Sequence, residues 1–239
     1  IKFDKNEQKL IKPYFKNSDI DSFYIKKNIK SYVLYLTRDL NLDDYPKIKK
    51  HVHYFEKVIK SRGTARGEIQ AALKLGKWWV IFAARNKNIF EKDKIVCPQR
   101  SRINKFAFTK EDFFASADVY FITNKKNYPL IDELFSLNGI LNSKLFYFWF
   151  KKKGKVKGEM LELFYKPLCE VPVKELSNNN VKDIKNLLNQ INITNNKIKN
   201  QKVIDELNKK IYHIYDLDRD EITFIENFYP NDSNNLYEK

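Results

Sequence analysis

The chain is poor in the residues that most often carry chemistry. Its 239 residues include two cysteines, three histidines, one methionine and six glycines. Cys97 and Cys169 form no CxxC pair, so neither a zinc knuckle nor a disulfide framework is indicated, and both are expected to be buried thiols in a reducing compartment. His51 and His53 stand two apart, where a helical zinc pair needs a spacing of four; with His213 they read as surface or partly buried side chains. The glycines form neither GxGxxG nor GxxxxGK[ST], which removes the common phosphate-cradling loops. Glu7-Gln8-Lys9 and Asp183-Ile184-Lys185 match three letters of a metal-dependent nuclease motif, but one is near a terminus and the other on a helical stretch, so both read as chance. No long hydrophobic run exists: the longest aromatic-apolar stretch, Leu145 to Phe150, falls far short of the roughly 20 residues of a membrane span. No signal peptide is visible, and a cytoplasmic location is expected. The chain opens on Ile1, and its only methionine is Met160, so a fragment of a longer protein is expected.

Acidic residues are also scarce, but unevenly. The formal net charge is +15. Residues 176–239 hold 9 Lys/Arg against 10 Asp/Glu, leaving 36 against 20 for residues 1–175. A compositional bias toward lysine would be spread along the chain. An excess confined to three quarters of it points instead to a polyanion, most simply a nucleic-acid backbone.

Hydrophobic residues make up 43% and aromatics 15%, enough for a packed core. Tyr32–Leu36 predicts a buried strand. Asp43-Asp44-Tyr45-Pro46 predicts a helix start, with Ile48, Val52, Phe55 and Ile59 as one apolar stripe and an end near Gly63. Strands are expected at Trp78–Ala83, Lys94–Cys97, Lys105–Thr109 and Asp118–Thr123. Pro129 opens a helix, Asn142-Ser143 caps another from Lys144, Lys151–Gly158 reads as a basic loop, and Pro167–Val173 as extended chain. Beyond Ser177 the pattern becomes helical, with Val181, Ile184, Leu188 and Ile191, then Val203, Leu207, Ile211 and Ile214. Asp218 and Glu221 have the spacing of a capping box for a last helix. The fold class expected is α+β: a mixed, largely antiparallel sheet with packed helices over residues 1–175, then a helical segment over 176–239.

Binding features are richer than catalytic ones. Arg62, Thr64 and Arg66 lie in a loop flanked by Gly63 and Gly67, which lets backbone approach a ligand. Gln99, Arg100, Ser101 and Arg102 follow the strand ending at Pro98, where a loop would leave the sheet, and Arg85 closes the Trp78 strand. Arginine suits the guanine edge, glutamine the adenine edge, and serine either base or phosphate. Each arginine could instead serve a surface salt bridge; three arginine-bearing loops on one sheet favour the shared use. Lys12, Ser18, Lys105, Lys153 and Lys155 complete the candidate DNA-binding set. Of Trp78 and Trp79, which face opposite sides if on a strand, one belongs to the core, and Trp78 is the candidate for a base or a sheet face.

Several motifs occur in an order that resembles a known family. Ile11-Lys12-Pro13-Tyr14-Phe15-Lys16-Asn17-Ser18-Asp19-Ile20 is followed by a Tyr45-Pro46 helix closing on Ser61-Arg62, then Trp78-Trp79 leading to Arg85. Lys94-Ile95-Val96-Cys97-Pro98, Leu141-Asn142-Ser143-Lys144-Leu145, Val171-Pro172-Val173 and Leu217-Asp218-Arg219-Asp220-Glu221-Ile222 continue the series. Together they resemble the TaqI-like C-terminal specificity domain of adenine-specific DNA methyltransferases and type IIG restriction-modification enzymes. The resemblance implies sequence-specific recognition of double-stranded DNA, with chemistry in a separate methyltransferase or nuclease domain of the parent chain. That domain's Asn-Pro-Pro-aromatic motif and S-adenosylmethionine loop are absent from this sequence. No catalytic residue, metal or cofactor is therefore expected here; S-adenosylmethionine and magnesium are implied for the parent enzyme. Two alternatives stay open: the same module in a non-cutting phage-defence methyltransferase, and a protein-interaction module acting through the helical segment.

Overall fold

A computed structural model describes residues 2–26, 31–62, 67–124, 131–191 and 197–230. In chain order its first half holds α1 (Lys5–Gln8), β1 (Ile11–Phe15), β2 (Ser31–Leu34), α2 (Pro46–His53), α3 (Glu56–Ser61), α4 (Glu68–Lys74), α5 (Asn88–Glu91), β3 (Lys94–Pro98), β4 (Arg100–Ser101), β5 (Ala107–Thr109), β6 (Phe114–Ala115) and β7 (Val119–Ile122). The second half holds α6 (Ile131–Leu141), α7 (Lys144–Lys152), β8 (Lys155–Lys157), β9 (Met160–Glu162), α8 (Tyr165–Cys169), α9 (Asn178–Gln190), α10 (Lys197–Ile214) and α11 (Arg219–Phe228). The class is α+β, as expected. Three small sheets run β2-β1-β6, β5-β3-β7 and β4-β9-β8; β1–β2, β3–β5, β3–β7, β4–β9 and β8–β9 all pair antiparallel.

Contacts divide the chain into two compact units. The first comprises residues 1–15, 29–90 and 112–114. Leu10, Leu36, Leu42, Ile48 and Val52 form its core, with Trp78 and Trp79 packed on it. A buried carboxylate organises its helical edge. Glu7 accepts from the backbone N–H of Lys47 (2.7 Å) and Ile48 (3.2 Å), so it satisfies the first turn of α2 where Pro46 leaves no side-chain cap. Its other oxygen closes a capping box with Asp4. Glu7 is thus a structural cap, which accounts for the Glu7-Gln8-Lys9 match.

The expected helix from Pro46 to Gly63 is broken. Tyr54 and Phe55 bond three residues back, to His51 and Val52, and Phe55 is 50% exposed rather than part of the buried stripe. The expected strand at Trp78–Ala83 is a run of turns. Val80 bonds back to Lys77, and Ile81 makes a backbone bond to Leu36. Both tryptophans are half-buried covers of the core, so their apolarity serves packing rather than a ladder. Tyr32 is 66% exposed, so burial in the Tyr32–Leu36 segment is confined to Tyr35 and Leu36.

The second unit comprises residues 16–28, 91–111 and 115–239. All five residues of β3 are buried between β5 and β7. Ile95, Cys97 and Phe106 share one core with Ile140 and Leu141 of α6, Phe146 and Phe150 of α7, Ile184 and Leu188 of α9, and Leu207, Ile211 and Ile214 of α10. Of the periodic positions read from the helical segment, Ile184, Leu188, Val203, Leu207, Ile211 and Ile214 are buried, and Val181 and Ile191 are half-buried. Gly139 lets α6 and α9 approach: a β-carbon there would lie 3.1 Å from Cγ2 of Ile184.

The Leu-Asn-Ser signature has a direct physical role. The Asn142 amide accepts from the Phe106 N–H (3.0 Å) and donates to the Phe106 carbonyl (2.8 Å), standing in for a missing strand neighbour. Ser143 then caps α7 by accepting from the Phe146 N–H. Lys94, also buried, donates to the carbonyls of Lys92 and Glu111 at 2.7 Å each.

Three further expectations are corrected. The basic stretch Lys151–Gly158 is the end of α7 and one arm of the β8–β9 hairpin. Pro167 lies inside α8, in the first turn where a missing N–H costs nothing, so Pro167–Val173 is not extended throughout. Cys169, at the end of α8, is exposed, whereas Cys97 is buried and burial pushes its thiol up. No described helix is long and apolar enough to cross a membrane.

Candidate nucleic-acid interface

The expected set of arginine loops on one sheet is not what the chain builds. Arg62 and Arg85 belong to the first unit and lie in no strand; Arg100 and Arg102 belong to the second. Thr64 and Arg66 lie outside the described residues.

In the second unit the sheet β4-β9-β8 places three charges in register. Arg100 pairs across from Glu162, and Glu162 pairs across from Lys155. Side chains opposite one another on adjacent antiparallel strands are close enough to bond. Arg100 donates through both Nε and Nη2 to Oε1 of Glu162, each at 2.9 Å. Lys155 reaches the other oxygen at 3.2 Å. The Glu162 side chain is 3% exposed, against 47% for Arg100 and 64% for Lys155. Burial raises the carboxyl's pKa, but hydrogen bonds and charge from Lys155 and Arg100 outweigh it and hold Glu162 below the usual carboxylate range. The triad therefore carries one net positive charge at neutral pH. Both cations also lie over the Phe164 ring, at 5.6 Å for Arg100 and 5.2 Å for Lys155.

Other cations surround this triad in sequence. Arg102, Lys153 and Lys157 are exposed and make no ion pair among the described residues. Lys151 donates to the Glu159 carbonyl, and Lys152 lies over Phe228. Three of the expected residues have partners within the chain, Ser18 through its backbone carbonyl alone. Lys105 pairs with Asp21 at 2.9 Å, Ser101 is 6% exposed with its hydroxyl donating to the Ile103 carbonyl, and Ser18 offers its carbonyl to Lys26. Gln99 is half-buried at the crossing from β3 to β4, where its backbone bonds Asp118 and Leu163.

In the first unit, Lys12 pairs with Asp112 at 3.5 Å and lies over Phe114. Arg62 is exposed at the end of α3, and Lys60, not an arginine, lies over Trp78. Arg85 lines a cleft of about 550 Å³ together with Thr37, Arg38, Asp39, Ala84, Asn86 and Lys87. Two segments meet there. The Ile81 N–H bonds the Leu36 carbonyl, and the Tyr35 hydroxyl bonds the Arg85 carbonyl at 2.5 Å. Arg38 stacks on Phe82 at 4.9 Å. Asp39 is held below its ordinary value, first by the Thr37 hydroxyl and its own backbone N–H, with smaller help from Lys87 and Lys77. Three cations thus line the cleft against one carboxylate.

Glu162, Phe164, Arg38 and Lys87 were not legible as site residues. Glu162 is separated from Arg100 by 62 positions, and its only local signal is a charge between the buried Leu161 and Leu163 at the end of β9. Among the described residues no three His, Cys, Asp or Glu side chains converge to hold a metal.

Comparisons with known proteins place this geometry. Two curated relatives are the type II methyltransferases M.HincII of Haemophilus influenzae and M.HindII of Haemophilus influenzae strain ATCC 51907 / DSM 11121 / KW20 / Rd. Each is 31% identical over 106 residues, which is 41% of this chain. The match spans only 21% and 20% of those relatives, about a fifth of their length. The fold is similar to that of the type IIL restriction-modification enzyme MmeI, solved in complex with DNA: TM-score 0.63, 15% identity, 93% of this chain and 31% of that one. The family model described as the TaqI-like C-terminal specificity domain matches residues 12–173, well over half of the sequence, and the chain belongs to that family.

Proposed function

We propose that this chain recognises a specific sequence in double-stranded DNA as the specificity part of a type IIG restriction-modification enzyme. The parent would be an adenine-specific methyltransferase with endonuclease activity. The observation that carries this reading is the Arg100–Glu162–Lys155 triad, set on a sheet among unpaired cations. Arg102, Lys153 and Lys157 would supply phosphate contacts, which position a protein on the duplex. Arg85, with Arg38 and Lys87 in the cleft of the first unit, would supply more of them. The division of labour is a recognition region over residues 1–175 and a helical segment over 176–239, whose α9 and α10 share the core of the second unit. S-adenosylmethionine and magnesium belong to the chemistry of the parent enzyme rather than to the recognition of the site. Both would be held by other parts of the parent chain, in the cytoplasm.

A second reading has support in the relatives, which are named as methyltransferases. In it the parent methylates without cutting. Incubating the whole parent protein with a duplex carrying the selected site, with S-adenosylmethionine and with or without magnesium, separates the two: cleavage supports the first, methylation alone the second.

Salt-sensitive binding would not test recognition, because any basic protein shows it. Selection of bound duplexes from a random pool at moderate salt does. An enriched motif is expected; a pool that stays random contradicts the proposal.

A further inference from the structure

We infer that Arg100 reads a guanine, and that Glu162 is the positioning residue that holds it ready to do so. This rests on the DNA-recognition reading above and goes beyond it by assigning a base and a supporting carboxylate.

The Arg100 guanidinium has two usable edges. Its side edge, Nε and Nη2, is taken up by Oε1 of Glu162 at 2.9 Å on both atoms. Its end, Nη1 with the second hydrogen of Nη2, is left over, and the side chain is 47% exposed. That end is a planar fork of two donors with no acceptor. On a major-groove edge it matches guanine, which presents O6 and N7 as adjacent acceptors, and no other base presents that pair.

Orientation is fixed from three sides. Cross-strand register sets where Arg100 meets Glu162. The carboxylate is 3% exposed and tied on its second oxygen by Lys155, so it cannot swing away without leaving a buried charge unpaired. Phe164 lies beneath the guanidinium at 5.6 Å. An arginine so held loses little rotamer freedom on binding, which is what a directional contact needs.

The same arrangement is poorly suited to a phosphate. Glu162 cancels one of the two positive charges, and a phosphate contact gains from charge rather than direction. Lysines 153 and 157, which have no such partner, are better placed for that use. Glu162 therefore lowers the local charge and fixes a donor plane.

The test is random-pool selection with the full parent protein, comparing wild type with Arg100→Ala, Glu162→Gln and Glu162→Ala. Wild type should select a motif containing guanine. Arg100→Ala should flatten one guanine position, lowering its preference roughly 10- to 100-fold, and leave the rest of the motif intact. Glu162→Gln should relax the same position by a smaller factor. It should also raise affinity for random duplex, because a negative charge is removed. That opposite movement of specificity and affinity separates positioning from simple loss of structure, which would lower both. Glu162→Gln preserves shape, so the test survives if Glu162→Ala does not fold.

A uniform loss of affinity in Arg100→Ala, with the motif unchanged, would make Arg100 a phosphate contact and overturn the inference. A flattened position that is not guanine overturns the base assignment. A wild-type profile in Glu162→Gln overturns the positioning role. Each of these leaves DNA recognition standing; a wild-type protein that selects nothing removes the underlying reading instead.

Discussion

The two units gather positive charge in different ways. In the second, Arg100 and Lys155 share a buried carboxylate and a ring, so two cations are oriented at the cost of half their charge. In the first, Arg38, Arg85 and Lys87 line a cleft whose single carboxylate, Asp39, is itself held by Thr37 and its own backbone. One carboxylate there faces three cations, and Arg38 lies over Phe82 rather than against an acid. Orientation favours reading a base edge, and charge favours holding a phosphate. The same residue types therefore suit different tasks according to what holds them, which a count of arginines along the chain does not show.

The largest expected effect lies in the fold that carries the triad. Asn142→Ala removes the amide that satisfies both backbone groups of Phe106. The Phe106 carbonyl keeps its bond from the Phe23 N–H, but the Phe106 N–H is left unpaired, which should cost about 1–3 kcal/mol of stability. Chemical denaturation should show it, and an unchanged midpoint would mean Asn142 is not the support described.

A smaller effect tests the cleft. Arg38→Ala with Lys87→Ala should weaken binding to all duplexes alike and reduce the slope of log affinity against log salt by about 2, leaving the selected motif unchanged. A changed motif would show that the cleft reads sequence and would erase the contrast between the units.

The smallest effect is a pH dependence. Glu162 sits below its ordinary value of 4.5 in the folded state. Its contribution to stability is then fully present above the ordinary value and is lost as pH falls through the lower folded one. The difference in melting temperature between wild type and Glu162→Gln should stay level from neutral pH down to that range and shrink below it. A difference that already shrinks near pH 6 would contradict the triad's ionisation.

What the sequence revealed follows the range of the forces involved. The start of α7 at Ser143 and the Asp218–Glu221 capping box are local, set by bonds three residues apart, and both were legible. So were the buried positions of α9 and α10, because helical period fixes them. The Trp78–Ala83 segment misled because strand-like composition describes a half-buried surface, which these side chains cover without forming a ladder. Arg100 was legible as a cation but not as an oriented one, since Glu162 and Lys155 reach it only through strand pairing across the sheet. The cleft was invisible for the same reason: Arg38 and Lys87 meet through a backbone bond between distant segments.

One measurement most directly separates a cation held by a buried carboxylate from the cations of the cleft. Random-pool selection and salt titration should be run side by side on Arg100→Ala and on the Arg38→Ala, Lys87→Ala pair. The first should lose one guanine position of the motif, whereas the second should keep the whole motif and lose salt slope. Identical changes in both proteins would contradict that separation.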